Sequence, residues 1–186
     1  MTRDAVLSDE DPPVYRYTLT REWEPAPRMM VWIMLNPSTA DHQVDDPTIQ
    51  ACMGFARRNG CGGICVVNLF AFRSSSPAVM RQALDPVGPR NNTILKQVLT
   101  RAVRSGGTVV AGWGNGGDHL GRAHEVARLC HQWGVDLKCF ATTQAGWPRH
   151  PLARGAHRIP ADAPLRPLDL PEPLARPLNP KGSFDR

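Results

Sequence analysis

Four polar or glycine-rich segments follow apolar runs in this chain of 186 residues, and they carry its candidates for chemistry. An amide donates and accepts hydrogen bonds together, whereas a histidine can stabilise an oxygen on which charge develops. Arginine is favoured where phosphates are bound. The segments are Asn36-Pro37-Ser38, Asn68 with Arg73, Gly112-Trp113-Gly114, and Arg149-His150.

Two asparagines stand where buried strands are predicted to end. Asn36 fits two roles equally: a turn former before Pro37, or a side chain that orients a water or a ligand group. It cannot be a general base at neutral pH. Asn68 interrupts an apolar run, and a buried amide without partners costs about 1–3 kcal/mol. We therefore expect backbone or a ligand to satisfy it, and the edge of a nucleobase suits it.

The acid and base candidates are His150 and three aspartates. His150 is equally a structural histidine or one that stabilises developing charge. Asp46 precedes Pro47 and is expected to cap a helix. Asp41 has no evident structural duty and is the candidate base for activating water. A metal site formed by Asp41, His42, Asp45 and Asp46 is conceivable, but its spacing matches no established motif.

The remaining candidates are binding residues. The segment from Gly112 to Gly117 precedes a predicted helix, so its backbone N–H groups could bind phosphate. Alternatively, its glycines could only allow the backbone conformation that the helix entrance needs. It matches neither the GxxxxGK[ST] nor the GxGxxG pattern. Phe70 and Phe72 offer a stacking face for a base, although a plain core role is expected for at least one of them.

The hydrophobic pattern predicts the elements that position these residues. Strands are expected at 14–20, 29–35, 64–70, 108–111 and 137–141, and helices at 47–58, 91–104 and 119–133. The segments 22–28 and 73–89 are predicted as a turn and a loop. This order predicts one α/β domain over residues 1–155, a three-layer sandwich with a central, mostly parallel four-stranded sheet. Residues 156–186 form a proline-rich tail.

Bulk composition narrows the class of protein. The net charge of +5 permits an anionic partner without requiring one. The five cysteines contain no CxxC pair, so reduced thiols in the cytoplasm are expected and a metal or cluster site finds little support. No run approaches a membrane span of roughly 18 apolar residues, and no signal peptide is evident.

Several motifs in order resemble the bacterial domain-of-unknown-function family 1643 (DUF1643). They lie between about residues 14 and 155. They are Met34-Leu35-Asn36-Pro37-Ser38-Thr39-Ala40-Asp41, Asp45-Asp46-Pro47-Thr48, Asn68-Leu69-Phe70-Ala71, Asp85-Pro86-Val87-Gly88-Pro89 and Gly146-Trp147-Pro148-Arg149-His150-Pro151-Leu152.

The layout is more remotely similar to the uracil-DNA glycosylase superfamily. That resemblance implies that the loop of Asn36-Pro37 positions the hydrolytic water and that Asn68 reads the base. It matches His150-Pro151 to the last motif of the superfamily. Two features depart from it: Leu152-Ala153-Arg154-Gly155 replaces the serine-rich sequence that enters the DNA minor groove, and the cluster-binding cysteines have no counterpart.

These observations lead to a nucleobase-recognising hydrolase of N-glycosidic bonds. Its substrate is expected to be a nucleotide, a nucleoside or a nucleic acid, with phosphate held by the glycine loop and Arg73 or Arg149. No cofactor is expected, because hydrogen bonds can stabilise the leaving base. Two alternatives stay open: a non-catalytic nucleotide or nucleic-acid binding module, and a metal-dependent nuclease or phosphohydrolase using Asp41, Asp45 and Asp46.

Overall fold

A computed structural model describes residues 1–24, 28–38 and 44–172 of the chain. These residues form a seven-stranded sheet in the order β1-β2-β4-β3-β5-β6-β7. The strands are β1 (Thr2–Leu7), β2 (Arg16–Glu22), β3 (Met29–Met34), β4 (Gly63–Asn68), β5 (Thr108–Ala111), β6 (Leu137–Cys139) and β7 (Arg166–Pro167). The helices are α1 (Pro47–Arg58), α2 (Pro77–Gln82), α3 (Asn91–Arg104) and α4 (Arg122–Gln132).

Helices cover both faces of the four central strands, which are parallel. Side chains alternate along β3, so Trp32 packs with Phe55 of α1 whereas Ile33 packs in a cluster with Leu95 of α3. We call these two sides of the sheet the α1 face and the α3 face. The apolar run of β3 is therefore explained by burial on both sides, as predicted.

Local signals set the ends of α1 where the sequence predicts them. The Asp46 carboxylate accepts a hydrogen bond from the backbone N–H of Ile49 at 2.8 Å, and Pro47 occupies the first turn. Past the last turn, Gly60 adopts a φ of +67°, a conformation that glycine reaches without strain. The bounds of α3 and β5 also agree with the prediction.

The predicted four-stranded, mostly parallel sheet is incomplete. Antiparallel strands extend the four parallel strands on both sides, so that three of the six strand pairings are antiparallel. The strands β1 and β7 are not predicted by the sequence pattern. Both are edge strands with largely exposed, charged or proline-containing sequences, which lack the alternation of a half-buried strand.

Smaller corrections concern the loops and the tail. The predicted loop at 73–89 contains α2, and α4 begins at Arg122 because His119 and Leu120 have non-helical dihedral angles. Residues 156–172, assigned to the tail, contact the domain through Ile159 and Leu165, which pack on the α1 face, and through β7. No helix in the described ranges combines the length and apolarity needed to cross a membrane.

The order of the strands places a crevice at one edge of the sheet. The connection from β3 to β4 packs α1 on one face, and the connection from β5 to β6 packs α4 on the other. These connections leave the neighbouring strands β3 and β5 in opposite directions. Ligands of open α/β sheets bind at such a point, outside the carboxyl ends of the strands. The loops after β3 and β5 flank this crevice.

Candidate functional site

The loop after β3 is joined to the loop after β4 by a set of backbone hydrogen bonds. The N–H groups of Leu69, Phe70 and Ser74 donate to the carbonyls of Met34, Leu35 and Pro37 at 2.8–2.9 Å. These hydrogen bonds hold the two loops together at the carboxyl edge of the sheet. The predicted residue Pro37 is buried within it and Ser38 is half-buried beside it.

Asn36 is part of this connection. Its Nδ2 donates to the carbonyl of Ser74 at 2.8 Å and to that of Pro37 at 3.2 Å. The amide nitrogen of Asn36 therefore stabilises the loop through these two hydrogen bonds. The amide oxygen, for which the described residues provide no donor, is left to accept a hydrogen bond from a water or a ligand.

Asn68 ends β4 and is held by the backbone. It pairs with Met34 across the parallel strands, so its side chain lies on the α1 face. The carbonyls of Asn68 and Leu69 accept from Nδ2 of Asn91, and the carbonyl of Leu69 also accepts from Nε of Arg122 at 2.8 Å. Two buried polar side chains from α3 and α4 thus fix the end of β4.

The Asn68 side chain itself is unusual. It is 3% exposed, its amide makes no hydrogen bond to any residue in the described ranges, and its amide atoms are not among the fully enclosed polar atoms without a partner. A buried amide is normally satisfied, because losing its hydrogen bonds to water costs about 1–3 kcal/mol. The amide is therefore available to a ligand at the carboxyl edge of the sheet.

Arg16 lies at the same edge through an irregularity in β2. Leu7 pairs with Arg16 and Val6 pairs with Thr18, so Tyr17 is an extra residue that shifts the register. Such a bulge reverses the alternation of side chains. Arg16 consequently lies on the α1 face with Leu19, and its N–H donates to the carbonyl of Ala71 just beyond β4.

Asp46, at the start of α1, acts electrostatically on His150. Burial lowers the pKa of His150, whereas the nearby negative charge of Asp46 raises it, and the net pKa is below the ordinary value. His150 is thus neutral at pH 7. Its Nδ1 accepts from the N–H of Leu152 at 3.1 Å, which leaves the proton on Nε2 as a donor.

The same carboxylate also acts on Arg16. Burial and the neighbouring Arg73 lower the pKa of Arg16 to about 10, and the charge of Asp46 opposes that shift. Asp46, which caps α1, is therefore within electrostatic range of both Arg16 and His150. Residues from β2, the start of α1, the loop after β4 and the loop after β6 thus influence one another electrostatically.

The glycine loop is placed differently from the prediction. The N–H of Gly112 donates to Ile33 and that of Gly114 to Pro148, both at 2.9 Å, so these two donors are used by the fold. A side chain at Gly112 would lie 3.0–3.2 Å from Met34 and Trp32, which explains the glycine by packing. The loop leads into a 3-10 segment, Gly114–Gly121, and not directly into α4.

The aromatic candidates are core residues. Phe70 is fully buried and Trp113 is 2% exposed, and both belong to the cluster on the α3 face. The ring of Phe70 packs against His119, with 5.5 Å between centroids. Phe70 therefore presents no open face to a base on the α1 face, which corrects the stacking prediction for this residue. Phe72 is half-buried and makes an edge contact with Tyr15.

The predicted arginines are anchored by backbone carbonyls. Arg149 donates from Nε to Thr142 at 2.9 Å and from Nη1 to His157 at 3.0 Å, so it joins two loops. Arg73 donates from Nη1 to Pro13 and carries its charge close to Arg16. Of the two arginines, Arg73 is thus the one that contributes positive charge near Arg16.

The aspartates divide between structural and site roles. Asp45 is bound by Arg3 at 2.7 Å and by Arg21 at 2.6 Å; burial raises its pKa, but these hydrogen bonds outweigh burial and lower it. Asp41 lies outside the described residues. Within residues 1–24, 28–38 and 44–172, no three His, Cys, Asp or Glu side chains are grouped to hold a metal ion. The five cysteines are buried free thiols.

The residues Arg16, Asn91 and Arg122 are not predicted as site residues from the sequence. Asp46 is predicted there as a helix cap. Arg16 lies on the α1 face because of the bulge at Tyr17. The register of strand pairing, and therefore this bulge, cannot be predicted from the sequence. Asn91 and Arg122 lie in ordinary amphipathic helices, where a polar residue on the buried side is the one available signal.

Comparison with protein-family models places the chain. The model described as "Protein of unknown function (DUF1643)" matches residues 16–152. The chain belongs to the DUF1643 family. The DUF1643 match begins at Arg16 and includes every described site residue through His150, but it leaves out β1 and the segment after Leu152. Neither the curated proteins nor the solved structures yielded a match.

Proposed function

We propose that this DUF1643 protein binds a nucleobase-containing substrate and hydrolyses its N-glycosidic bond. The observation that carries the proposal is the Asn68 amide, 3% exposed and without a hydrogen-bond partner among the described residues. This amide at the carboxyl end of β4 would read the edge of a base, because an amide offers a donor beside an acceptor.

His150 would stabilise the leaving base. When the C1′–N bond breaks, its electron pair stays on the base, and the negative charge spreads to the ring oxygen or nitrogen. A neutral imidazole with its proton on Nε2 can donate to that atom without a prior proton transfer. The contact of Nδ1 with Leu152 supports this role because it holds the required tautomer.

Asn36 and Asp46 would act on the water. The Asn36 oxygen accepts one hydrogen of the water, and the second carboxylate oxygen of Asp46 accepts the proton as the C1′–O bond forms. The first oxygen of Asp46 is engaged by the N–H of Ile49. Water is consumed, and free base and the sugar product are released. Asp41, the candidate base from the sequence, keeps an assisting role in this proposal.

The remote similarity to uracil-DNA glycosylases agrees with this layout, but the proposal departs from duplex DNA. The segment Leu152–Gly155 lacks the serine-rich sequence associated with entry into the minor groove. A substrate that is a single nucleotide or a single strand needs no base flipping out of a duplex. We therefore favour a substrate whose base is already free.

The test is the release of free base from nucleosides, nucleoside monophosphates and single-stranded or modified DNA, followed by chromatography. Asn68→Leu keeps the shape of the residue and removes the amide, so base release should fall by a factor of about 10–100. Gln97→Leu removes an exposed amide on α3 and serves as the control. Absence of base release by the folded wild-type protein on every substrate contradicts the proposal.

One observation favours a second candidate, a nucleic-acid binding module. A groove of about 490 Å³ between α1 and the segment after His150 is lined by Arg58, Arg154 and Arg158. A strand held by several such arginines would bind more weakly as salt rises, whereas a nucleoside would respond little. Tight, steeply salt-dependent binding of single-stranded DNA without base release supports this alternative.

A further inference from the structure

Three arginines are buried in the described part of the protein, and they differ in how they are satisfied. They are Arg16, Arg21 and Arg122, with exposed fractions of 7%, 0% and 1%. Arg21 binds Asp45 and the carbonyl of Thr20. Arg122 binds the carbonyl of Leu69 and the side chain of Asn92. The fold thus provides partners for two of its buried guanidinium groups.

Arg16 is the exception. Its Nε is fully enclosed without a partner, and its guanidinium makes no hydrogen bond or ion pair with any described residue. The Asp46 carboxylate influences it but lies beyond ion-pair distance, and the other charges that act on it are those of Arg73 and Arg21. A buried guanidinium without an anion is unfavourable, and it persists where a ligand provides the anion.

The position of Arg16 connects this charge to the candidate site. The bulge at Tyr17 turns the side chain onto the α1 face, and the backbone of Arg16 is bonded to Ala71, three residues past Asn68. The start of α1 lies nearby, as the influence of Asp46 on Arg16 indicates, and a helix N-terminus also favours negative charge.

We infer that Arg16 binds the phosphate group of the substrate, and that the protein acts on phosphorylated nucleosides in preference to free nucleosides. This inference rests on the proposed function for the identity of the substrate, but the anion site itself does not depend on hydrolysis. Arginine is favoured where phosphate is bound, because its planar guanidinium can donate two parallel hydrogen bonds to phosphate oxygens.

The experiment measures the binding of nucleoside monophosphates, the matching nucleosides and inorganic phosphate by calorimetry. Wild type is expected to prefer monophosphates by roughly 10- to 100-fold, the range of a charge-assisted contact. Arg16→Met should abolish this preference, and Arg16→Lys should retain part of it. Arg104→Met removes one exposed charge from the last turn of α3 and should keep the full preference. Inorganic phosphate should raise the Tm of wild type but not of Arg16→Met.

The outcomes separate this inference from the proposed function. Binding of monophosphates that depends on Arg16, without base release, supports the anion site and contradicts the hydrolase. Equal base release from nucleosides and monophosphates, unchanged in Arg16→Met, supports the hydrolase and overturns the anion site. Failure of wild type to bind monophosphates or phosphate also overturns it. Retention of the full preference in folded Arg16→Met overturns it as well.

Discussion

Replacing Arg16 by methionine is expected to stabilise the free protein while it removes the anion site. Most substitutions of buried residues destabilise, but here the residue removed is a buried charge without a partner among the described residues. Methionine keeps the length and the apolar packing of the side chain. Better stability with loss of binding is the signature of a residue retained for function.

The magnitude follows from the environment of the guanidinium. Its pKa is lowered from 12.5 to about 10, which corresponds to about 3 kcal/mol against the charged form in the folded state. Arg16 is protonated at pH 7 in both the folded and unfolded states, so this penalty is constant through neutral pH. Because some relaxation accompanies the substitution, we expect a gain of roughly 1–3 kcal/mol in the free energy of unfolding.

Arg21→Met is the matched control. Arg21 lies on the same strand and is also fully buried, but its Nε binds Asp45 at 2.6 Å. Removing one partner of a buried ion pair costs about 3 kcal/mol or more, although Arg3 continues to bind Asp45. The assay is urea denaturation without phosphate, with unchanged slopes required. If Arg16→Met loses as much stability as Arg21→Met, then Arg16 has a partner in the free protein and the reasoning is refuted.

Three further predictions test other contacts. The pKa of His150, measured by NMR, should lie below that of an ordinary histidine, and a normal pKa would contradict this environment. Because the pKa is lowered in the folded state, the contribution of neutral His150 to the free energy of unfolding should be lost as the pH falls through that pKa. The variant His150→Gln should not show this loss. Asp46→Ala should lower the free energy of unfolding by about 1 kcal/mol through loss of the helix cap, measured in urea, and an unchanged value would contradict the cap. Because burial raises the pKa of the cysteine thiols, all five should resist a thiol reagent until the protein unfolds, and rapid native labelling would contradict their burial.

The sequence predicts those parts of the fold that depend on local or periodic signals. The apolar run of β3 and the capped start of α1 are examples, since burial on two faces and an Asp-Pro start both leave a local signature. The edge strands β1 and β7 were missed because their pairing depends on neighbours distant in the chain. The 3-10 segment before α4 depends on a positive φ at Leu120, and a leucine side chain does not predict this conformation.

The candidate site was predicted in the same uneven way. Asn68 and His150 are proposed as site residues from the sequence because a polar residue at the end of an apolar run is visible there. The structure reassigns Phe70 and Gly112 to packing, since neither the face of a ring nor the partner of an N–H can be deduced from residue type. Arg16 required the register shift between β1 and β2 to be known.

The central claim is hydrolysis of an N-glycosidic bond at the carboxyl edge of the sheet, and base release from nucleoside monophosphates tests it most directly. Chromatography should detect free base and sugar phosphate in equal amounts with wild type. Release should fall about 10- to 100-fold with Asn68→Leu and remain unchanged with Gln97→Leu. Release that Asn68→Leu leaves unchanged, or no release by folded wild type from any nucleotide, nucleoside or single strand, contradicts the account.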